Sequence, residues 1–208
     1  MTRKEKLRGL ADDVGKDWVN GPYYDDAEAC MEHAWNSEVW PYIQRLDFRV
    51  TLDLAAGHGR NTARILPFAE RVYVVDINQT NIDFCRSRFG QNPKLQYICN
   101  NGCELVGIPD QSITLAYCYD AMVHFDSDVV RAYLAEFRRV LQRGGCGFCH
   151  HSNFSENPTG DVHEHAGWRN YMSKSLFAHY CHKEGLTVLR QQVLRENDSD
   201  CITVFQSQ

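Results

Sequence analysis

Short apolar runs alternate with amphipathic segments through most of the chain. Five runs have the length of buried strands, and in the interval 127–145 apolar residues recur at helical spacing until Gly144 and Gly145. Alternation of this kind predicts a parallel sheet with helices on both faces. The predicted strands cover residues 49–56, 71–77, 94–101, 112–120 and 145–153.

The two ends of the chain depart from this alternation. Residues 1–45 combine helical spacing with many aromatic residues, which predicts either a core-packing stripe or a helical lid over a cofactor. Residues 46–208 would form the α/β core of the same single domain, 1–208. Near the C-terminus, the strand-like runs 186–195 and 201–208 are joined by residues 196–200, and so short a turn predicts an antiparallel pair. The predicted fold is therefore α/β, with a doubly wound, seven-stranded, mostly parallel sheet and an antiparallel C-terminal hairpin.

Composition excludes several classes of function. The 208 residues carry 22 basic and 27 acidic side chains, a net charge of −5, which argues against a nucleic-acid groove. No apolar run approaches the roughly 20 residues that span a membrane, so no membrane association is expected. The N-terminal residues lack the apolar core of a signal peptide, and we therefore expect a cytoplasmic protein.

Cysteines and histidines are numerous, but their spacing argues against a metal site. The nine cysteines lie in core-like segments, as buried free thiols do. In CGFC, residues 146–149, the two cysteines would point to opposite faces of a strand. The same holds for His150 and His151, although His163 and His165 follow in a nearby loop. A zinc or redox site is thus the less favoured alternative, and no metal is predicted.

The turn after the first strand has the pattern of a nucleoside-binding site. In TLDLAAGHGRNT, residues 51–62, Gly57 and Gly59 allow a sharp turn and a close approach to a ligand. Seventeen residues after Gly59, Asp76 ends the second strand, where a carboxylate accepts hydrogen bonds from a ribose. An NAD-linked dehydrogenase is disfavoured, because Asp53 precedes the glycines and Thr62 replaces the third glycine of the dinucleotide fingerprint.

Three segments resemble the motifs of class I S-adenosylmethionine-dependent methyltransferases: LDLAAGHGR (52–60), VVDIN (74–78) and residues 99–125. The resemblance runs from about residue 23 to the C-terminus and implies the Rossmann-like methyltransferase fold. It also implies S-adenosyl-L-methionine as cofactor, S-adenosyl-L-homocysteine as product, and an unidentified oxygen or nitrogen acceptor. We expect a small-molecule acceptor. A protein or nucleic-acid acceptor and a non-catalytic cofactor-binding module are the alternatives.

The resemblance also assigns roles at the cofactor site. Asp53 would organise the loop or receive the amino group, Asp76 would hold both ribose hydroxyls, and Ile77 would pack on the adenine. Tyr119 would lie beside the sulfonium, and Arg60 would either reach the methionine carboxylate or be solvated. The full cofactor set comprises Asp53, Ala55, Gly57, Gly59, Asp76, Ile77, Asn101, Gly102, Tyr119 and, from the lid, Tyr24.

The acceptor side of the site is predicted from the ends of the fourth and fifth strands. Asp120 and His124 are the catalytic candidates, and the ordinary pKa of histidine, about 6.5, suits a general base. A purely structural His124 is the alternative. The predicted acceptor-binding residues are His124, His151, Asn153, Trp168 and Arg169, although the last four also fit an ordinary surface loop.

Overall fold

A seven-stranded sheet forms the centre of the computed structural model, which describes residues 1–19, 21–156, 158–159, 162–194 and 198–208. The strand order is β3-β2-β1-β4-β5-β7-β6. Strands β1 to β5 are parallel, and β7 is antiparallel to both β5 and β6, which confirms the predicted fold class. The bounds are β1 Val50–Leu54, β2 Arg71–Asp76, β3 Leu95–Cys99, β4 Ile113–Cys118, β5 Leu141–Ser152, β6 Leu186–Leu194 and β7 Asp200–Ser207.

Helices cover both faces of this sheet. One apolar cluster joins β1 and β4 to α1, α7 and α8, and a second joins the opposite face to α3 and the segment around it, α5 and α6. Strand β4 lies between the two clusters, and all of its residues are buried. The described helices are α1 Arg3–Gly15, α2 Tyr23–Ala29, α3 Met31–Ala34, α4 Trp40–Ile43, α5 Arg60–Ile65, α6 Gln79–Phe89, α7 Ser127–Val140 and α8 Lys174–Lys183.

The end of α7 differs from the prediction. The glycine pair at 144–145 suggested a helix as far as residue 145, but α7 ends at Val140. Leu141 already has an extended backbone, φ −67° and ψ 131°, and pairs with Ile113 of β4. Sheet pairing therefore ends the helix before the glycines, and both glycines lie within β5.

The N-terminal segment is helical, but it is divided more finely than the spacing predicted. Helix α1 begins with a capping box formed by Thr2 and Glu5, and a 3-10 turn at Lys16–Trp18 follows it. Further on, a π-helical turn at Trp35–Val39 separates α3 from α4. It lies just before Pro41, whose nitrogen has no hydrogen to donate to the carbonyl four residues earlier, so the regular helix cannot continue.

The C-terminal hairpin is present as predicted, with residues 195–197 of the strand end and turn lying outside the described part of the chain. All nine cysteines are free thiols. Among the described residues, no three His, Cys, Asp or Glu side chains are grouped as metal ligands would be.

No helix in the described ranges is both long enough and apolar enough to cross a membrane.

His151 lies in the core between β5 and α8, which corrects its predicted role as an acceptor-binding residue. Its side chain is fully buried and stacks on Phe177 with 3.8 Å between ring centroids. Nδ1 lies 2.8 Å from the Ser152 carbonyl oxygen and Nε2 lies 2.8 Å from the Thr203 hydroxyl. A carbonyl oxygen can only accept, so Nδ1 carries the hydrogen and Nε2 accepts from Thr203. Burial lowers the pKa of His151 to about 3.

This buried imidazole makes the stability of the fold depend on pH. The unfolded chain takes up the proton near pH 6.5 and the folded chain does not, so the free energy of unfolding falls as the pH drops below 6.5. Between pH 7 and pH 5 this residue should account for a loss of about 2 kcal/mol. In His151→Asn, denaturant titration should show a difference between the two pH values that is smaller by that amount. The exposed His182→Asn is the matched control, and an unchanged difference in His151→Asn would contradict the prediction.

Candidate active site

A cavity opens at the carboxyl edge of the parallel strands, under the N-terminal helices. About 930 Å³ of space, open solvent included, lies among the residues that line it. Its walls come from the segments that follow β1, β2, β3 and β4, together with α1 and α2. Nine of the predicted site residues line it: Tyr24, Ala55, Gly57, Asp76, Ile77, Gly102, Tyr119, Asp120 and His124.

The loop between β1 and α5 is held in left-handed backbone conformations. Ala55, Gly57 and Gly59 have φ values of 56°, 55° and 81°. A Cβ on Gly57 would lie 2.5 Å from Cε1 of Tyr24, so only glycine fits beneath that ring. A Cβ on Gly59 would lie 2.6 Å from Cε2 of Phe89 in α6. Gly57 therefore faces the cavity, whereas Gly59 permits close packing of α5 and α6 and does not line the cavity.

Asp53 lies beneath this loop and not in the cavity wall. Its Oδ2 accepts a hydrogen bond of 2.5 Å from the Thr62 hydroxyl in the first turn of α5. Oδ1 is buried with no partner among the described residues, and burial raises the pKa of the carboxyl to about 7. Of the two predicted roles, the geometry matches organisation of the loop. The same contact explains why a hydroxyl residue, and not a third glycine, stands at position 62.

Asp76 connects the glycine loop to α6. Its Oδ2 accepts from the Gly57 N–H at 2.9 Å, and Oδ1 accepts from the Asn78 N–H at 2.9 Å and from Nδ2 of Asn81 at 3.1 Å. Burial raises the pKa of Asp76, and these hydrogen bonds oppose the shift. The carboxylate thus stands in the cavity wall with three donors already in place, which leaves room for about one more.

Asn81 adds a second acceptor beside Asp76. Its Oδ1 is buried at the cavity and has no partner among the described residues. Two neighbouring oxygen acceptors in a cavity wall suit a ligand with two adjacent hydroxyls, such as a ribose. Asn81 was absent from the sequence-based list. The signal for it was present, because an amide five residues after Asp76 falls on the first turn of α6.

The loop after β3 also lines the cavity, but Asn100 takes the place in the wall that was predicted for Asn101. Asn100 and Gly102 face the cavity together with Ile77, but Asn101 does not. Oδ1 of Asn101 instead accepts from the N–H groups of Cys103 and Glu104, at 3.2 and 3.0 Å. These hydrogen bonds close the turn. They engage the Asn101 side chain, which is therefore not directed at the cavity as predicted.

The N-terminal helices cover the cavity through a set of specific contacts. The Trp18 carbonyl accepts from the Tyr24 hydroxyl at 2.8 Å and from Nδ2 of Asn81 at 3.3 Å. The Tyr24 ring stacks on His58 at 3.9 Å, and His58 stacks on Phe84 at 3.8 Å. This three-ring stack fixes α2 to both the glycine loop and α6.

A partly buried ion pair occupies the end of the cavity nearest β4. Asp120, with φ 58°, accepts on Oδ2 from the Tyr23 hydroxyl at 2.5 Å and from Nη2 of Arg60 at 2.7 Å. Burial opposes ionisation of Asp120, but the nearby His150 and Arg60 and the Tyr23 hydroxyl outweigh it and lower its pKa. Of the alternatives for Arg60, solvation is wrong, because the guanidinium is only 11% exposed.

His124 lines the cavity beside this ion pair. Its ring lies 4.6 Å from the Trp18 ring, and Nδ1 lies 2.7 Å from the Trp168 carbonyl oxygen. That carbonyl can only accept, so Nδ1 carries the hydrogen and Nε2 keeps its lone pair. Burial lowers the pKa of His124 to about 4, below the ordinary value on which the sequence argument relied. At neutral pH the imidazole is therefore uncharged and able to accept a proton.

Three further predicted acceptor residues lie outside the cavity. Oδ1 of Asn153 accepts from the Lys174 N–H at 2.8 Å, at the start of α8. Arg169 is buried against Asp200, and Trp168 is 39% exposed, with its ring in a T-shaped contact with the Trp18 ring. The loop between β5 and α8 thus contacts His124 of the cavity wall through the Trp168 carbonyl, and the predicted side chains of this loop do not line the cavity.

Comparison with known families supports the nucleoside-site interpretation. A family model described as a methyltransferase domain matches residues 52–149, which include the glycine loop, Asp76, Asp120 and His124. Among curated proteins no match to this sequence is found.

Solved structures share the fold along nearly the whole chain. Geranyl diphosphate C-methyltransferase from Streptomyces coelicolor A3(2), in complex with Mg²⁺, geranyl diphosphate and S-adenosyl-L-homocysteine, has a TM-score of 0.71 at 11% identity and covers 96% of this chain and 98% of its own. A chain of the complex containing the Haloferax volcanii methyltransferase activator Trm112 has a TM-score of 0.70 at 15% identity, covering 100% and 99%. Burkholderia thailandensis 1,6-didemethyltoxoflavin-N1-methyltransferase, with 1,6-didemethyltoxoflavin and S-adenosylhomocysteine bound, gives 0.68 at 21%, covering 100% and 91%.

The contacts of Tyr24 predict how firmly the N-terminal helices are held. Tyr24→Ala removes the ring from the His58 stack and the hydroxyl from the Trp18 carbonyl, so residues 16–18 should open more often. We expect trypsin to cleave after the exposed Lys16 several-fold faster than in the parent chain. Tyr24→Phe keeps the stack and loses only the hydroxyl, so its rate should fall between the two. Equal rates in all three proteins would show that Tyr24 does not hold this segment.

Proposed function

We propose that this chain, a class I S-adenosylmethionine-dependent methyltransferase, transfers the methyl group of its cofactor to an oxygen or nitrogen atom of a small, uncharged acceptor. The observation that carries this proposal is the pairing of two features in one cavity. At one end Asp76 and the orphaned Oδ1 of Asn81 stand over the glycine loop, and at the other the cavity is lined by an uncharged His124 whose Nε2 is unprotonated.

The residues present fit S-adenosylmethionine. Asp76 and Asn81 would hold the ribose hydroxyls, Gly57 allows the backbone to approach, and Ile77 with Gly102 would border the adenine. Asn100 replaces Asn101 as the polar side chain at the adenine end. When bound, the cofactor supplies a methyl carbon activated by its sulfonium. The chain itself has to align the acceptor with that carbon, and alignment of this kind contributes roughly 7–11 kcal/mol.

His124 removes the acceptor's proton. Since Nδ1–H is engaged by the Trp168 carbonyl, the proton goes to Nε2. A base with a pKa of about 4 is weaker than free imidazole, so it works best on a proton that is already acidic. A phenol, an enol or the N–H of an electron-poor heterocycle meets this requirement, and an aliphatic alcohol does not.

The cavity walls at this end suit an uncharged, flat acceptor. Trp18, Tyr23, Tyr119 and Phe125 supply aromatic surface. Among the residues described around the cavity, the cation Arg60 is already paired with Asp120, so a phosphate or carboxylate would have to compete with a partly buried ion pair. The acceptor therefore differs in kind from the geranyl diphosphate bound by the Streptomyces neighbour.

Other acceptors and partners are less well supported by the properties of the chain. A nucleic-acid acceptor fits poorly with a net charge of −5. A protein partner is raised by the neighbour that forms a complex with Trm112, and a pull-down with such an activator would test it. A cytoplasmic location is supported by the nine free thiols, as expected where thiols are kept reduced.

Cofactor binding is tested by calorimetry. We expect the parent chain to bind S-adenosylhomocysteine with micromolar affinity, and Asp76→Ala to lose this binding, because the ribose acceptor and the bond to the Gly57 N–H both disappear. Asp47→Ala, which removes an exposed carboxylate paired with Arg49, should bind normally. Binding of NAD in place of S-adenosylhomocysteine would overturn the proposal.

The base is tested with a panel of phenols and N-heterocycles, by following S-adenosylhomocysteine release. His124→Gln should lower turnover of any accepted compound by roughly 10²–10⁴-fold and leave S-adenosylhomocysteine binding intact. The rate should stay level from pH 8 to pH 6 and fall only as the pH approaches 4, where His124 becomes protonated. The exposed His179→Gln is the matched control. Unchanged turnover in His124→Gln would contradict the role of base, and release of no product by any compound would favour a binding module.

A further inference from the structure

We propose that Asp200 is a positioning residue that holds His124 and Asp120 in their working arrangements through two separate arms, one formed by Arg169 and the other by His150. The inference rests on the proposed function in one respect, since it takes His124 and Asp120 to be the groups at the reacting end of the cavity. Asp200 itself does not line that cavity.

Asp200 is a buried carboxylate with charged and polar partners on both oxygens. It is the first residue of β7 and has no exposed surface. Oδ1 accepts from Nε of Arg169 at 2.6 Å, and Oδ2 accepts from Nη2 of the same guanidinium at 2.8 Å. Oδ2 also lies 3.1 Å from Nε2 of His150. A two-pronged arginine–carboxylate contact fixes orientation as well as distance.

The first arm runs through Arg169 to His124. Gly167 and Trp168 both have left-handed backbones, with φ 66° and 53°, and Arg169 also donates to the Gly167 carbonyl. The anchored guanidinium thereby holds the Trp168 carbonyl 2.7 Å from Nδ1 of His124. The next residue, Asn170, donates its N–H to the Val123 carbonyl at 3.0 Å. The loop is therefore hydrogen-bonded to the short turn that carries His124. Its Trp168 carbonyl favours the tautomer of His124 with the hydrogen on Nδ1.

The second arm runs through His150 to Asp120. The Asp120 N–H donates to Nδ1 of His150 at 3.2 Å, so Nδ1 is unprotonated. The hydrogen is then on Nε2, where it is donated to Asp200. His150 has no exposed surface, and without this tautomer the Asp120 N–H would lose its acceptor. Asp120 stands at φ 58°, a conformation that such a bond helps to hold while its carboxylate engages Arg60 and Tyr23.

One carboxylate thus sets two imidazoles in opposite tautomers. His124 carries its hydrogen on Nδ1 and keeps Nε2 for the acceptor, while His150 carries its hydrogen on Nε2 and keeps Nδ1 for a backbone N–H. His151, next in sequence, is held by Ser152 and Thr203 and belongs to neither arm.

The test is nitrogen-15 NMR of the full chain labelled at histidine, at pH 7.5, where the two-bond correlations of each ring distinguish the tautomers. Signals are assigned with His124→Gln and His150→Gln. The parent should show a single Nδ1–H form for His124 and a single Nε2–H form for His150. Asp200→Asn should give mixed tautomers at both rings. His151 is the internal control and should remain Nδ1–H, which also reports that the variant is folded.

Arg169→Lys separates the two arms and keeps the proposal testable if Asp200→Asn does not fold. Lysine retains the charge beside Asp200 but not the two-pronged contact. His124 should become mixed while His150 stays Nε2–H. If both rings keep their parental tautomers in whichever variants fold, Asp200 is structural only and the inference is overturned. The proposed function is judged separately, because cofactor binding by the parent chain does not depend on these signals.

Discussion

The site depends on one carboxylate, Asp76, more than on any other side chain. It receives the Gly57 N–H from the loop after β1 and two donors from the start of α6. One of those donors, Asn81, also bonds the Trp18 carbonyl, so the same contact set reaches the N-terminal segment. A buried carboxylate is costly unless donors surround it, and satisfying Asp76 draws the loop, the helix and the covering segment into one arrangement.

At the other end of the cavity, which we propose binds the acceptor, the charged groups are arranged so that little net charge remains. Arg60 neutralises Asp120, and burial keeps His124 uncharged. A cationic methyl donor can then be accommodated beside an anion that is already partly balanced, with the uncharged His124, the proposed base, next to it. Burial lowers the basicity of His124, so the proposed base suits acceptors with acidic protons.

The sequence allowed the sheet, the glycine loop and Asp76 to be predicted, because each follows from local periodicity or from spacing along one strand–turn–helix unit. The sequence did not show whether Asn100 or Asn101 lines the cavity, because the geometry of the turn decides which of the two side chains faces it. Strand alternation correctly placed His150 and His151 on opposite faces, but the side on which α8 packs decided that His151 is in the core. Contacts across long separations, such as that between Arg169 and Asp200, leave no local pattern to read.

Trp18 joins the two ends of the cavity, and this has a consequence for how the site is completed. Its carbonyl accepts from Tyr24 and Asn81 at the ribose end, and its ring lies against His124 at the acceptor end. A movement of this one residue therefore alters the contacts of both ends together. A ligand that orders Asp76 and Asn81 would also favour the position of Trp18, whose ring lies against His124, the proposed base. For the proposed methyl transfer, these contacts favour binding of the nucleoside before the acceptor.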